Sequence, residues 1–472
     1  MSLFWHNTNN MSQGDNNMRA PVSVSDIWRK HHQQPPKVHP VLSGKEAFRA
    51  VFAEHIEEMK TGKPYFRPVV IHEVEKMIAC GDPDNGTLYM CPCCSNMNYV
   101  PHTCKSKICP SCGNLANMRI FNSIADRVLD VPHRQWVFTI PACIRYLFRT
   151  ERSRRLSLLF DAAAETIRHV FTSINPDLDT VPGIISILHT FGRANNWVPH
   201  IHCIVTDGGL NKYSRWWDLK FLIYRNVRIF YQDTLLAKLS EAIDGFEATA
   251  KALKAKYPDG FVVNAPSPGI TADPNERDAC DIDDYSTELD VIKTNEVERK
   301  IKYTARYVGR PAFATSRLDS YDGQNVTFHY QSHVDNKIHT ETLTAIDFIK
   351  RITIHIHEPH FRTVRYYGLY CRTNKECCDR LAKALFKNAV KYLYKRTKRT
   401  TRSFQSHWRG AMIERFNIDP CKCSECGAQM VPMFLRFQGH IRWIGLPVPR
   451  SQRPPDDLDI SGAQARLSRQ IA

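Results

Sequence analysis

His200 and His202, separated by one residue, are the most economical metal site the chain could offer. They lie in Trp197-Val198-Pro199-His200-Ile201-His202-Cys203-Ile204-Val205-Thr206-Asp207-Gly208-Gly209, which reads as a β-strand between turn signals. Side chains alternate across a strand, so His200 and His202 share one face and Ile201 takes the other. Two imidazoles on rigid backbone, with a third polar ligand and water, can hold a divalent ion. Such an ion would polarise the oxygens of a phosphodiester. Imidazole suits Mn²⁺ or Zn²⁺ better than Mg²⁺. The nearest third ligand is His189 in Gly183-Ile184-Ile185-Ser186-Ile187-Leu188-His189-Thr190, a strand able to pair with the first as a hairpin. Glu296 and Glu298 are its rivals. The plainer alternative is a half-buried strand carrying two solvated histidines.

A nucleophile is offered by Lys302-Tyr303-Thr304-Ala305-Arg306-Tyr307-Val308-Gly309-Arg310. Helical spacing i, i+4 puts the phenols of Tyr303 and Tyr307 on one face. Lys302, Arg306 and Arg310 supply positive charge beside them. A phenol of pKa near ~10 needs such cations, or a polarised phosphate, before it attacks. Two tyrosines at this spacing also suit ordinary packing.

The cysteines suggest zinc. Cys91-Pro92-Cys93-Cys94 and Cys109-Pro110-Ser111-Cys112 are two CxxC knuckles, and the spacing predicts one closed site of Cys91, Cys94, Cys109 and Cys112. A closed four-sulfur site keeps no open position, so this zinc is structural. Cys93, Cys104 and His102 are spare donors nearby. Cys421, Cys423 and Cys426 resemble half of a second site, which Cys371, Cys377, Cys378 or His440 could complete. Lys383, Lys387, Lys391 and Lys395, continuing into Arg396, Lys398, Arg399 and Arg402, form a basic helical stripe suited to tracking phosphates. A solvated helix face is the alternative reading.

Composition frames these motifs. The chain has 472 residues and 16 cysteines, and Lys and Arg exceed Asp and Glu by 16. The charge predicts attraction to a polyanion, most simply nucleic acid. The N-terminus lacks a basic leader and an apolar core segment, and no apolar run is long enough for a membrane span, so a cytoplasmic location with reduced thiols is expected.

The elements that position the motifs follow from periodicity. Helices are expected after Ser43 and over Val69 to Ala79, followed by a helix carrying Ile120, Ile124 and Val128. His133 to Pro141 reads as a strand. Residues 155–172 read as a helix, the two histidine strands follow, and residues 218–256 form one or two helices. An acidic connector covers 273–298. Strands are expected at Asn325 to Tyr330 and Lys337 to Thr342, with helices dominating 345–400. The predicted divisions are a flexible arm (1–40), a helical zinc-binding domain (41–130), a catalytic domain (131–343), a helical basic region with a possible second zinc (344–446) and a flexible tail (447–472).

Taken together, the chain resembles the two-tyrosine HUH rolling-circle transposases typified by insertion sequences 91 and 801. The resemblance runs from about residue 65 to 430. It rests on the cysteine cluster through Cys112, on His133-Arg134-Gln135-Trp136-Val137-Phe138-Thr139, on Leu188-His189-Thr190-Phe191-Gly192, on Pro199-His200-Ile201-His202, on Tyr303 to Arg310, and on Val364-Arg365-Tyr366-Tyr367-Gly368-Leu369-Tyr370. It implies an α+β fold with a central antiparallel sheet and packed helices, flanked by an N-terminal zinc finger and a mostly helical C-terminal region. His200 and His202 match the family's metal ligands, and Tyr303 and Tyr307 its paired nucleophiles. The implied activity is nicking and rejoining of single-stranded DNA at transposon ends and targets, through a 5′-phosphotyrosine. The implied cofactors are catalytic Mg or Mn and structural Zn. DNA contacts are expected from Lys302, Arg306, Arg310, Lys391, Lys395 and Arg396, with no membrane or small-molecule partner. Cys104, Cys423, Cys426 and His189 are further candidate metal ligands. Alternative readings are a plasmid replication initiator or relaxase, or a non-catalytic zinc-finger DNA-binding protein.

Overall fold

The protein is described by a computed structural model covering residues 44–265, 313–393 and 421–443 with short internal breaks, together with residues 409, 413 and 419. It divides into two compact units. The smaller contains Asp82–Pro101 and the chain from Pro420 onward, and the larger contains Val38–Gly81 and His102–Asp419. The units are therefore not consecutive in sequence.

The strands in chain order are β1 (Gly86–Met90), β2 (Met97–Pro101), β3 (His133–Phe138), β4 (Val181–Phe191), β5 (Trp197–Leu210), β6 (Trp216–Asp218) and β7 (Val263–Asn264). They continue as β8 (Leu318–Tyr321), β9 (Asn325–Gln331), β10 (Ile338–Thr344), β11 (Val364–Gly368), β12 (Val431–Phe437) and β13 (His440–Trp443). The helices are α1 (Gly44–Glu54), α2 (Ile56–Thr61), α3 (Pro68–Ile78), α4 (Arg152–Ile174), α5 (Tyr224–Ala242), α6 (Glu247–Lys256), α7 (Ala345–Thr353) and α8 (Lys375–Phe386).

The larger unit is built on an antiparallel sheet ordered β11-β4-β5-β3-β7, with β6 added to β5. Both of its faces are covered. Ile184, Leu188, Ile201, Cys203 and Val205 pack on one side with α4 and α5. Helix α4 forms because Leu156, Leu159, Phe160, Ala163, Ile167 and Val170 recur at helical spacing, and small Ala162, Ala163 and Ala164 let it lie close to its neighbours. Ile185, Ile187 and Ile204 pack on the other side with Ile124, Val128, Leu129, Tyr370, Leu381 and Ala384. A separate core within this unit joins α1, α3 and α7 to the sheet β10-β9-β8 through Phe48, Phe313, Phe328 and Phe348. The architecture is thus α+β with an antiparallel sheet core flanked by helices.

Several expectations change. Gly208 and Gly209 do not end the histidine strand; they continue β5 and pair with Asp218 and Trp217. A Cβ on Gly209 would stand 2.6 Å from the Val181 carbonyl oxygen, so glycine serves close strand approach rather than a turn. Among the described residues of 345–393, Val364–Gly368 interrupts the helices as an edge strand on β4. The lysine stripe is also broken. Helix α8 ends at Phe386, Lys387 caps it, and Asn388 turns left-handed at φ 54. The chain then runs against residues 128–130, with Leu129 bridging Tyr392. Lys391 is exposed, but not on the helix that carries Lys383. The N-terminal arm, the acidic connector and the C-terminal tail lie outside the described residues.

Candidate functional site

The histidine site arises from strand register. His189 on β4 stands directly opposite His200 on β5, and His202 opposes Ile187. Period-two geometry therefore puts three imidazoles on one face of two central strands. All three are at least 96% buried, at 4%, 1% and 3% exposure, so the solvated reading does not describe them. Ring centroids are 4.5 Å apart for His189 and His202, and 4.8 Å for His200 and His202. One potential ligand nitrogen from each ring lies within 4.8 Å of the others.

Hydrogen bonds orient these rings. His200 Nδ1 lies 2.7 Å from the Val198 carbonyl oxygen, which must be approached by an N–H. That fixes the Nδ1–H tautomer and leaves the Nε2 lone pair facing His202 Nε2, 3.0 Å away. Gln135 on β3 places its carboxamide 3.1 Å from His202 Nδ1. A backbone carbonyl or amide holding one ring nitrogen while the other faces a common point is the arrangement seen around metal-bound imidazoles. The donor set fits a divalent transition ion. On the opposite face Cys203 is fully buried, and burial pushes its thiol up to about 12, which marks a neutral core residue.

Two family-like segments meet farther along the same face of the sheet. His133 Nδ1–H donates to the Val131 carbonyl at 2.7 Å, and Tyr370 O–H donates to His133 Nε2 at 2.7 Å. The Leu129 N–H in turn donates to the Tyr370 oxygen at 3.3 Å. Burial pushes the Tyr370 phenol up, so it stays protonated and structural. A Cβ on Gly183 would come within 2.6 Å of the Tyr370 ring, which explains the glycine at the start of the His189 strand.

The cysteines group differently from the sequence expectation. Cys91 and Cys94 do not share a site with Cys109 and Cys112. In the larger unit Cys109 and Cys112 converge with Cys80 and Cys104. In the smaller unit Cys91 and Cys94 converge with Cys423 and Cys426. Each knuckle contributes two sulfurs as expected, but its partner knuckle is another one, because the sheet registers and not the spacing decide which pairs meet. Cys371, Cys377, Cys378 and His440 complete neither cluster among the described residues, and Cys93 is exposed. Cys80, one residue past the cap of α3, escaped the sequence reading because it stands alone before Gly81. In the first cluster Cys80 Sγ lies 3.4 Å from Cys112 Sγ, and the Cys112 and Ser106 amides point at the sulfurs of Cys109 and Cys104. Hydrogen bonds from Cys104 push the Cys80 and Cys109 thiols down, and that donation pushes Cys104 up. Four crowded sulfurs of this kind suit a cation that holds them all as thiolates.

The family model described as "Transposase zinc-binding domain" matches residues 51–140, and the one described as "Putative transposase" matches residues 183–377. The "Transposase for insertion sequence element IS801" of Pseudomonas savastanoi pv. phaseolicola is 30% identical over 378 residues, covering 77% of this chain and 83% of that protein. The chain belongs to the insertion sequence 91/801 family of transposases. Its relative in Sinorhizobium fredii (strain NBRC 101917 / NGR234), "Putative transposase y4qJ", is 25% identical over 304 residues, covering 60% of this chain and 69% of that protein. No solved structure matches the chain. The second family model spans His189, His200 and His202, and the first spans Gln135 and six of the eight clustered cysteines. Tyr303, Tyr307, Lys302, Arg306, Arg310, Glu296, Glu298, Lys395 and Arg396 lie outside the described residues of this transposase. Among the described residues no helix is long and apolar enough to cross a membrane.

Proposed function

We propose that this transposase nicks and rejoins single-stranded DNA at transposon ends and targets, in a rolling-circle manner, on an HUH nuclease core. The observation that carries the reading is the convergence of three buried imidazoles on adjacent central strands of the family's catalytic region. His189, His200 and His202 would hold a divalent ion, with His189 as the third ligand. Such an ion, Mn or Mg, supplies charge that polarises the oxygens of the scissile phosphate. Imidazole donors favour Mn of the two.

Tyr303 and Tyr307 are the proposed nucleophiles. One tyrosine loses its phenolic proton to solvent and its oxygen attacks phosphorus in line; the bond from phosphorus to the 3′ oxygen breaks and that oxygen takes up a proton from solvent, leaving a 5′-phosphotyrosine and a free 3′-hydroxyl. The phosphodiester energy is retained in the new bond, so a strand hydroxyl can reverse the exchange without a nucleotide cofactor. The second tyrosine receives another strand. Lys302, Arg306 and Arg310 favour the phenolate and contact phosphates, and Lys391, Lys395 and Arg396 extend that contact. Cys80, Cys104, Cys109 and Cys112 would hold a structural zinc within the larger unit.

The test is covalent capture on a single-stranded end oligonucleotide. The Tyr303→Phe/Tyr307→Phe variant is expected to give no protein–DNA adduct, and His200→Ala/His202→Ala is expected to lose metal-dependent cleavage. Undiminished adduct in the first variant removes the tyrosines from their role, and undiminished cleavage in the second removes the histidines.

A further inference from the structure

Cys423 and Cys426 lie beyond both stretches matched by the family models, which end at residues 140 and 377. Yet they sit on the sulfurs of Cys91 and Cys94. Cys91 Sγ is 3.4 Å from Cys426 Sγ, and Cys94 Sγ is 3.5 Å from Cys423 Sγ, across 335 and 329 positions of sequence. A disulfide would require about 2.05 Å. A tetrahedron with bonds of ~2.3 Å to one ion instead separates its sulfurs by ~3.8 Å, which is the closer match.

The two knuckles are copies of one turn. The Ser95 amide donates to the Cys91 carbonyl at 2.9 Å, and the Gly427 amide donates to the Cys423 carbonyl at 3.0 Å. Ser95 and Gly427, each following the second cysteine, both take positive φ, at 60 and 73. The Cys91 amide donates to Asn96 O at 2.8 Å, and the Cys423 amide to Ala428 O at 2.9 Å. Each turn therefore presents two sulfurs in the same way, and the pairs face one another. Asn96 Nδ2 also donates to Cys423 Sγ at 3.5 Å, as amides do towards metal-bound thiolates.

Among the described residues, the buried apolar cluster at the knuckles consists of Cys91, Cys423 and Met430, with Tyr89 and Ala428 at its edge. The four-stranded sheet β13-β12-β1-β2 joins the two segments through β1 and β12, and Met90 opposite Val431 is the last pair before the knuckles. A cluster of that size gains from a staple. Closing a loop of this length is also where a metal clip has most chain entropy to remove.

We propose that Cys91, Cys94, Cys423 and Cys426 bind one zinc ion, separate from the ion of Cys80, Cys104, Cys109 and Cys112, and that this ion clasps two segments of the transposase that lie before and after residues 183–377 in sequence. Four thiolates close the coordination shell, so the ion is structural, and the four thiol protons leave to solvent on binding. The N-terminal knuckle is completed only once the chain has been made through Cys426.

Two measurements test it on the full chain. In the zinc-loaded wild type, pulsed alkylation read by peptide mass during chelator titration should show Cys91, Cys94, Cys423 and Cys426 losing protection at one chelator concentration, while Cys93 reacts throughout. In Cys423→Ser/Cys426→Ser, Cys91 and Cys94 should alkylate without chelator while Cys80, Cys104, Cys109 and Cys112 stay protected. With cobalt in place of zinc, the sulfur-to-metal charge-transfer absorption, which is blind to the histidines, should halve in that variant. Alkylation of Cys423 and Cys426 in the zinc-loaded wild type overturns the proposal. So does continued protection of Cys91 and Cys94, or an undiminished cobalt band, in the variant. If Cys80, Cys104, Cys109 and Cys112 also lose protection in the variant through misfolding, the wild-type titration decides alone.

Discussion

His202 has one ring nitrogen towards Gln135 and the other towards His200, so its tautomer is set by a neighbour on another strand. The carboxamide oxygen and nitrogen of Gln135 are interchangeable by a half-turn. With its oxygen towards Nδ1–H, Gln135 leaves the His202 Nε2 lone pair for a metal. Gln135→Leu removes that preference and should weaken Mn²⁺ binding by roughly 10–100-fold, the usual cost of losing a ligand's outer partner. Gln135→Glu should keep or tighten it. Mn²⁺ titration followed by electron paramagnetic resonance reads both, and an unchanged affinity in Gln135→Leu would falsify the positioning role. The His200 and His202 pair was legible because period-two spacing is written in adjacent residues. Gln135 was not, since its reach depends on the β3–β5 register, in which Val137 rather than Gln135 stands opposite His202. Cys80 was illegible for a related reason: a lone cysteine carries no spacing until the fold brings it to a knuckle.

The β4–β5 hairpin is itself braced by a fourth histidine. His355, just past α7, accepts from the Thr190 hydroxyl at Nδ1 over 3.0 Å and donates Nε2–H to the Asn195 carbonyl over 3.0 Å. Trp197 stacks on it, and Arg152 lies over that indole at 4.6 Å. Burial pushes His355 down to about 4, and the Arg152 charge adds to the effect, partly offset by the Asn195 contact. A base whose pKa falls on folding binds its proton more readily in the unfolded chain. Stability should therefore be intact above the ordinary histidine range near ~6.5 and decline as pH falls from there towards 4, by about 1.4 kcal/mol per pH unit from this one group. The urea midpoint, measured between pH 7.5 and 5, should fall more steeply in wild type than in His355→Gln. Parallel curves would remove His355 as the cause. At this scale the histidine strands, α4 and the β9–β10 hairpin were legible from their periodicity. Strand β11 was not, because an edge strand between two helices has too short a pattern to outweigh the helical signal beside it. The lysine repeat misled for the opposite reason: its spacing continues past Phe386, where Asn388 and the Leu129 bridge redirect the backbone.

At the scale of the molecule, charge is the property sequence reports most directly and contacts least. The excess of 16 basic residues belongs to the whole chain, so it favours a polyanion without saying which lysines touch it. The grouping of the chain was less legible still. The pairing of β1 with β12 lies more than three hundred positions apart and leaves no local pattern. If single-stranded DNA is the partner, counterion release makes binding steeply salt dependent, with the logarithm of affinity falling by roughly 0.7 per phosphate neutralised for each logarithmic step in salt. Lys391 is exposed, and its carbonyl is held by the Asp130 amide at 2.7 Å, so its side chain can be changed without disturbing that bond. Lys391→Ala should lower the slope by about 0.7 and weaken binding equally for end and unrelated oligonucleotides, as a phosphate contact does. Fluorescence anisotropy across a salt series measures both. A slope unchanged from wild type would place Lys391 off the DNA path and leave the charge to be assigned elsewhere. Weakening confined to the end sequence would instead make Lys391 a reader of bases.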